Sequence, residues 1–358
     1  MYIINDGVFS HTGSDSKYFN RQGRYPQNGA YNSKNSPYYT WYKFMDWPNI
    51  YHSWWGFDTL PEVEELSYSF DRYINGENGI IRKWMKCGNS GWRLDVADEL
   101  PDPFIQHIRE AIKAENPDAL LLGEVWEDAS IKESYSSRRR FLYGKQLDSV
   151  MNYPFRDATC ILENYPRPVV RCLMNLLGTH DTERVITLLA GERQNGRGRE
   201  WQANTSLTPS QREYGLKRMR LASGIQFTLP GVPCIYYGDE AGVEGYKDPF
   251  NRAPFPWGKE DKGLTEWYKQ LAKLRSYCSC LKDGDFKEFG SYERTMGYIR
   301  YDDTDELLCV FNAATFPIDF IVPKEFEDGE ALLGTILNGR DLEIPANSCA
   351  FVKISADK

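Results

Sequence analysis

Three acidic residues lie at the carboxyl-terminal ends of predicted buried strands. Asp95 lies in "GWRLDV", Glu124 in "ALLLGEVW", and Asp181 follows "MNLLGTH". A single acid at a strand end is most often a helix cap or an ion-pair partner. The spacing of these three, however, is close to one and then two βα units. It therefore predicts that they meet at the edge of a parallel sheet formed by the carboxyl ends of its strands, where such folds have their catalytic residues.

The neighbours of these acids predict different charge states. Arg93 lies two residues before Asp95, so both side chains point to the same side of the strand, and the cation would keep Asp95 ionised, as a nucleophile requires. Glu124 has no adjacent cation in the sequence, and burial beside other carboxylates would raise its pKa, which suits a general acid. One carboxylate that attacks an anomeric carbon and one that protonates the leaving oxygen are what glycoside hydrolysis needs. A further ionised acid, Asp181 beside His180, could stabilise the transition state.

An alternation of helices and strands must position these acids. One helix is predicted in "DPFIQHIREAIKAENP" with Asp102 as its cap, and another in "TPSQREYGLKRMRLASGIQFTL" with a capping box from Thr208 and Gln211. The intervening apolar runs are typical of parallel strands. Together they predict an α/β fold of six βα units. The expected strand ends are near Asp6, Asp95, Glu124, Val150, Asp181 and Tyr237.

Two regions depart from this alternation. After about residue 283, short strands separated by turn residues predict a small antiparallel β domain. Residues 12–65 follow the first strand and are too long for an ordinary βα loop, which indicates a functional insertion. Half of residues 38–57 are aromatic. They are equally compatible with a packed aromatic mini-core and with a stacking surface for sugar rings.

Composition excludes several classes of protein. The chain has 358 residues, 41% of them hydrophobic, and a formal net charge of −8, which argues against a nucleic-acid partner. The one basic run, 138–140, is expected to be a solvated turn. No apolar run is long enough to predict a membrane span, so no membrane partner is expected.

The eight cysteines are scattered and show no zinc or redox spacing, which favours a cytoplasmic location. Four of them lie in apolar surroundings. These four are expected to be small core residues: Cys87, Cys160, Cys172 and Cys234.

Five short motifs in this order resemble the alpha-amylase family of glycoside hydrolases. They are "DGVFSHTG" (6–13), "GWRLDVADE" (91–99), "GEVWEDA" (123–129), "LLGTHDTER" (176–184) and "GVPCIYYGDE" (231–240). The resemblance implies that Asp95 is the nucleophile, Glu124 the acid/base and Asp181 the transition-state stabiliser. It also implies substrate-binding residues at Asp6, His11, Arg93, Trp126, His180 and Arg184.

The resemblance also implies the architecture. Residues 1–282 would form a TIM barrel of the (β/α)8 type that begins at the third strand and lacks the first two, with 12–65 inserted as a loop or small domain. Residues 283–358 would form a C-terminal antiparallel β-sandwich. Ser10 stands where many alpha-amylases have a calcium-binding asparagine, so no calcium site is predicted and no cofactor is expected to be required.

Within the family, the motifs are most similar to the neopullulanase and cyclomaltodextrinase branch. That branch usually has other residues at Glu64, Asp98 and Glu127. The expected function is hydrolysis of maltooligosaccharides, cyclodextrins, pullulan or starch fragments by a retaining double displacement. Two alternatives are an α-glucan transglycosylase and an inactive, truncated α-glucan-binding fragment. The resemblance is also compatible with a homodimer, and it leaves the oligomeric state open.

Overall fold

A computed structural model describes residues 1–153, 165–292 and 294–356. The chain divides into two compact units, Met1–Cys172 and Leu173–Lys358. Cys160 lies outside the described residues. Cys87 and Cys172 are exposed and Cys234 is half-buried, so the prediction that these three are core residues is wrong.

The first unit has a parallel sheet with strand order β1, β4, β5, β8. The small pairs β2–β3 and β6–β7 are antiparallel. The strands of this unit are β1 (Ile4–Gly7), β2 (Phe44–Asp46), β3 (Ile50–Tyr51), β4 (Gly91–Leu94), β5 (Leu120–Gly123), β6 (Glu133–Ser134), β7 (Ser137–Arg138) and β8 (Ser149–Asn152). Its helices are α1 (Tyr68–Asn75), α2 (Ile80–Lys86), α3 (Asp102–Glu115) and α4 (Arg167–Cys172).

Helix α3 shows how the pattern of apolar residues fixes the packing. Phe104, Ile108 and Ile112 line one face and have no exposed surface, as their spacing predicts. The helix begins at Asp102 itself, after Pro101, and no side chain caps it. The prediction of Asp102 as the cap is therefore wrong. Its carboxylate instead forms an ion pair with Arg139, whose Nε lies 2.7 Å from Asp102 Oδ1.

The second unit opens with the parallel strands β9 (Met174–Leu176) and β10 (Val232–Cys234). Both end earlier than expected, so Asp181 lies in the loop beyond β9. The helices are α5 (Val185–Ala190), α6 (Arg199–Asn204), α7 (Pro209–Thr228), α8 (Lys262–Tyr277) and α9 (Cys280–Asp283). Helix α7 begins with the predicted capping box of Thr208 and Gln211.

The C-terminal part of this unit is antiparallel, as predicted. A five-stranded sheet has the order β11, β12, β13, β18, β15, and a three-stranded sheet has the order β14, β17, β16. Buried aliphatic residues such as Ile299, Leu308 and Leu342 fill the space between the sheets. The strands are β11 (Asp285–Tyr292), β12 (Thr295–Tyr301), β13 (Asp305–Asn312), β14 (Ile318–Ile321), β15 (Glu330–Leu332), β16 (Leu337–Asn338), β17 (Asp341–Ile344) and β18 (Ser348–Ser355).

Candidate active site

Arg93 joins three acids at the carboxyl ends of neighbouring strands in the first unit. Its Nη1 lies 2.7 Å from Asp6 Oδ1 and 2.8 Å from Asp95 Oδ1, and its Nη2 lies 2.7 Å from Glu124 Oε2. The register explains the arrangement, because Asp6 on β1 pairs with Arg93 on β4. Burial alone lowers the pKa of Arg93, but the hydrogen bond to Asp6 and the charges of Glu124 and Asp95 outweigh it and raise that pKa. One permanent cation is thus shared among three acids.

The expectation that Glu124 has no neighbouring cation is wrong. Arg93 lies on the adjacent strand and forms a close ion pair with Glu124 without hydrogen-bond alignment. Glu124 is 2% exposed. Its Oε2 accepts the backbone N–H of Val96 at 3.0 Å, and its Oε1 accepts the hydroxyl of Tyr153 at 3.3 Å. The carboxyl group is therefore held at both oxygens in a largely dry site.

Val96 and Tyr153 are site residues that the sequence analysis missed. Val96 has a φ of 38°, an unusual backbone conformation for a β-branched residue, and this conformation lies directly after Asp95. Tyr153 follows β8 and stacks on Trp126 with ring centroids 4.7 Å apart. Its place just after the fourth strand of the sheet is the signal that could have identified it. Trp126 remains 46% exposed, so one part of its indole is open to solvent.

His11 occupies a half-buried position beside the carboxylates. Ser10 Oγ and His11 Nδ1 are 2.9 Å apart, and the imidazole stacks on Trp54 with a centroid distance of 4.9 Å. Burial lowers the pKa of His11, and the charges of Asp95 and Glu99 offset part of this effect. The imidazole is thus poised to be neutral near pH 7, when it can both donate and accept a hydrogen bond.

The second unit contains two of the predicted site residues, His180 and Asp181. His180 Nε2 and Asp181 Oδ2 are 3.2 Å apart, and both side chains are partly exposed. Arg252, which the sequence analysis missed, lies 3.7 Å from Asp181 Oδ1 and donates to the carbonyl of His180. Asp181 therefore has an imidazole and a guanidinium beside it.

Arg184 has no exposed surface. Its guanidinium lies 3.2 Å from Asp239 Oδ1, donates to the carbonyl oxygens of Asn251 and Tyr237, and lies 4.2 Å from the ring centroid of Tyr236. A side chain enclosed in this way holds the local backbone together. Its burial argues against the substrate contact expected for Arg184.

The basic run 138–140 is not a fully solvated turn, because Arg139 is 1% exposed. Its guanidinium donates to the carbonyl oxygens of Asp98 and Leu100, to Ser134 Oγ and to Asp102. It thereby fixes the β6–β7 hairpin against the loop that follows Asp95. The solvated-turn interpretation failed because it counted charge and ignored the five donors that a guanidinium offers to backbone carbonyls.

The aromatic residues of the insertion divide into two groups. Phe19 has no exposed surface and packs against Tyr31, Tyr42, Phe44 and Tyr51, which form a local aromatic core. Trp55 and Phe57, in contrast, are 73% and 55% exposed. The mini-core interpretation thus holds for part of residues 38–57, whereas Trp55 and Phe57 lie outside that core and the stacking interpretation stays a prediction.

Ser10 is the residue at the position where many alpha-amylases have a calcium-binding asparagine, and its hydroxyl is a poorer calcium ligand than an amide oxygen. Ser10 is 3% exposed, and its hydroxyl is engaged by His11. Across residues 1–153, 165–292 and 294–356, no group of three or more His, Cys, Asp or Glu side chains is arranged to hold a metal.

The chain is similar to known members of one protein family. The family model "Alpha amylase, catalytic domain" matches residues 1–277. An amylopullulanase of Thermoanaerobacter thermohydrosulfuricus is 36% identical over 340 residues, which is 80% of this chain and 22% of that protein. A cyclomaltodextrinase of Thermoanaerobacter pseudethanolicus is 33% identical over 360 residues, which is 92% of this chain and 55% of that protein. The chain thus spans about a fifth of the first relative and about half of the second.

Solved structures show the same fold. The type III pullulan hydrolase of Thermococcus kodakarensis superposes with a TM-score of 0.79 at 26% identity, covering 99% of this chain and 60% of that one. The Nostoc punctiforme debranching enzyme gives a TM-score of 0.78 at 26% identity, covering 99% and 76%. The alpha-amylase type of fold expected from the sequence is confirmed. With its family match, its relatives and its fold in agreement, the chain belongs to the alpha-amylase family of glycoside hydrolases.

Proposed function

We propose that this chain cleaves α-glucosidic bonds by double displacement with retention of the anomeric configuration. The observation that carries the proposal is the sharing of Arg93 by Asp6, Asp95 and Glu124 at the ends of adjacent strands. Retaining glycosidases need one ionised carboxylate and one proton-donating carboxyl group close together. Asp95 and Glu124 both contact the guanidinium of Arg93 from the ends of adjacent strands, so the two carboxyl groups that this mechanism uses lie close together.

Each residue has a role in this proposal. Glu124 protonates the glycosidic oxygen while an oxygen of Asp95 forms a bond to the anomeric carbon and the C–O bond to the leaving sugar breaks. Glu124, now ionised, then removes a proton from water, whose oxygen attacks the anomeric carbon and releases Asp95. Asp181 stabilises the oxocarbenium-like transition state. His11, His180 and Arg93 hold hydroxyl groups of the sugar being cleaved, Asp6 supports the site, and Trp126 stacks on a neighbouring sugar.

The proposed substrates are maltooligosaccharides, cyclodextrins, pullulan and starch fragments. The names of similar proteins support this substrate class, since they include amylopullulanase, cyclomaltodextrinase and neopullulanase. Incubation of the protein with maltotriose, a cyclodextrin and pullulan, followed by chromatography of the products, tests it. Sugars shorter than the starting material from maltotriose or pullulan, or linear sugars from the cyclodextrin, support hydrolysis. Longer transfer products dominating at low sugar concentration would indicate a transglycosylase, and glucan binding without turnover would indicate a binding fragment.

We also propose a cytoplasmic location, and a homodimer stays an open alternative. The free thiols of the described cysteines are compatible with a reducing compartment. None of the described helices has the length and apolar character that a membrane crossing requires. Sedimentation of the purified protein tests the dimer.

A further inference from the structure

Two adjacent indoles of the insertion are held by one carboxylate. Trp54 Nε1 donates to Glu99 Oε2 at 2.7 Å, and Trp55 Nε1 donates to Glu99 Oε1 at 2.8 Å. The two rings are stacked, with centroids 5.1 Å apart and an interplanar angle of 18°. Because each oxygen of Glu99 fixes one indole, neither ring can rotate without losing a charge-assisted hydrogen bond.

Trp55 has an exposed side chain and a left-handed backbone, both of which are unfavourable for a large aromatic residue. The side chain is 73% exposed, although a large aromatic surface gains free energy from burial. Its backbone has φ 51° and ψ 26°, the left-handed conformation that bulky residues rarely adopt. Local strain of this kind persists where the surroundings impose it, and it concentrates at ligand-binding sites. The indole of Trp55 is held rigidly and is exposed, and its backbone is strained. A side chain held in this way is suited to contact a ligand.

The pair is connected to the cleavage site through Trp54. His11 stacks on Trp54 at 4.9 Å, and the charge of Asp95 acts on His11. The same indoles line a cavity of about 310 Å³ whose other walls include Glu62, Glu99 and Tyr135. Aromatic walls with a few convergent hydrogen-bonding groups are the usual composition of a site for a small polar ligand.

We propose that Trp55, positioned by Glu99, is a stacking platform for a glucosyl unit next to the one being cleaved. The inference rests on the proposed function for its substrate class. A glucosyl ring has an apolar C–H face that matches an exposed indole, while its hydroxyls can donate to the carboxylates around the cavity. The aromatic residues of the insertion thereby acquire a specific role, in which Phe19 anchors the loop and Trp55 contacts substrate.

Binding of maltohexaose to the Asp95→Asn protein, measured by titration calorimetry, tests the platform without turnover. Adding Trp55→Ala should weaken affinity about tenfold, which corresponds to about 1.4 kcal/mol. Adding Trp55→Tyr should restore most of the loss, because a flat ring remains. Trp84→Ala is the matched control, since Trp84 is 50% exposed on α2, away from these contacts, and should leave the affinity unchanged.

Glu99→Gln tests the positioning residue separately. A glutamine offers only one carbonyl oxygen to two indole N–H groups, so affinity for maltohexaose should fall about threefold or more. Unchanged affinity in both Trp55→Ala and Glu99→Gln would overturn the proposal, and so would failure of the Asp95→Asn protein to bind maltohexaose at all. If the unmodified protein binds maltohexaose through Trp55 but never cleaves it, the proposed hydrolysis fails while the platform stands.

Discussion

Arg93 and Glu124 face each other across β4 and β5, with Nη2 and Oε2 2.7 Å apart. The contact links the residue proposed as acid/base to the cation that also holds the proposed nucleophile. A change of charge on Asp95 or Glu124 therefore changes the electrostatic environment of the other acid, because both contact the same guanidinium. This coupling suits a reaction in which one carboxyl group loses a proton as the other forms a bond.

Loss of the shared cation should affect both stability and catalysis. Arg93→Gln removes the guanidinium that is ion-paired with the buried Glu124, and removal of one member of a buried ion pair costs about 3–5 kcal/mol. The melting temperature should fall, and kcat/KM on maltotriose should fall at least about 100-fold. Lys217→Gln is the control, because the Lys217–Glu213 pair on α7 is exposed and should be worth about 1 kcal/mol or less. An Arg93→Gln protein with normal activity would contradict the site as described.

Glu124→Gln should show the signature of a missing proton donor. The variant should lose most activity on maltotriose, whose leaving group needs protonation, and much less on an aryl α-glucoside with a good leaving group. Steady-state kinetics on the two substrates measure the difference. Asp95→Asn is the comparison, since loss of the nucleophile should abolish turnover of both. Equal losses for Glu124→Gln on both substrates would argue against its acid role.

Arg184→Lys should separate a structural role from a substrate contact. The lysine keeps the charge beside Asp239 but loses the donors to Asn251 and Tyr237, so unfolding free energy should fall by about 1–3 kcal/mol. Because Arg184 is fully buried, KM for maltotriose should not change. Denaturant titration and kinetics on the same preparation test both statements. A raised KM with unchanged stability would restore the substrate-binding role.

Glu65 gives the protein a specific dependence of stability on pH. Burial, with the charges of Glu62, Glu64 and Glu99, raises its pKa from 4.5 to about 8, despite an opposing backbone hydrogen bond. Between these pH values the folded state holds a proton that the unfolded state has released. Stability should therefore fall as pH rises from 4.5 to 8.

Glu65→Gln removes this dependence. Its melting temperature should exceed that of the unmodified protein at pH 8, and the advantage should shrink as pH approaches 4.5. Glu110→Gln, at an exposed position of α3, should show no such trend. A constant difference between Glu65→Gln and the unmodified protein across this range would rule out titration of Glu65 as the cause.

The sequence predicts local features of this fold well. The apolar face of α3, the capping box of α7 and the antiparallel C-terminal strands follow from periodicity and turn chemistry, because these depend on neighbours along the chain. Asp95 and Arg93 lie two residues apart on one strand, so their pairing was also predictable.

Contacts between distant segments escaped prediction. The Arg93–Glu124 pair, the hydrogen bond from Tyr153 and the clamp of Glu99 on Trp54 and Trp55 each join different elements, and no pattern within one segment reveals their register. The burial of Arg139 and Arg184 was missed for a related reason. Charge predicts exposure on average, whereas a guanidinium can be buried when carbonyls and carboxylates satisfy its donors.

The anomeric configuration of the first product is the most direct test of the central claim, that Asp95 and Glu124 around Arg93 perform a double displacement. Proton NMR recorded in the first minutes of cleavage of an aryl α-glucoside or a maltooligosaccharide distinguishes the two anomers before mutarotation. Attack by Asp95 followed by attack by water inverts the anomeric carbon twice, so the α-anomer should appear first. Initial release of the β-anomer would show a single displacement and contradict the proposed nucleophile.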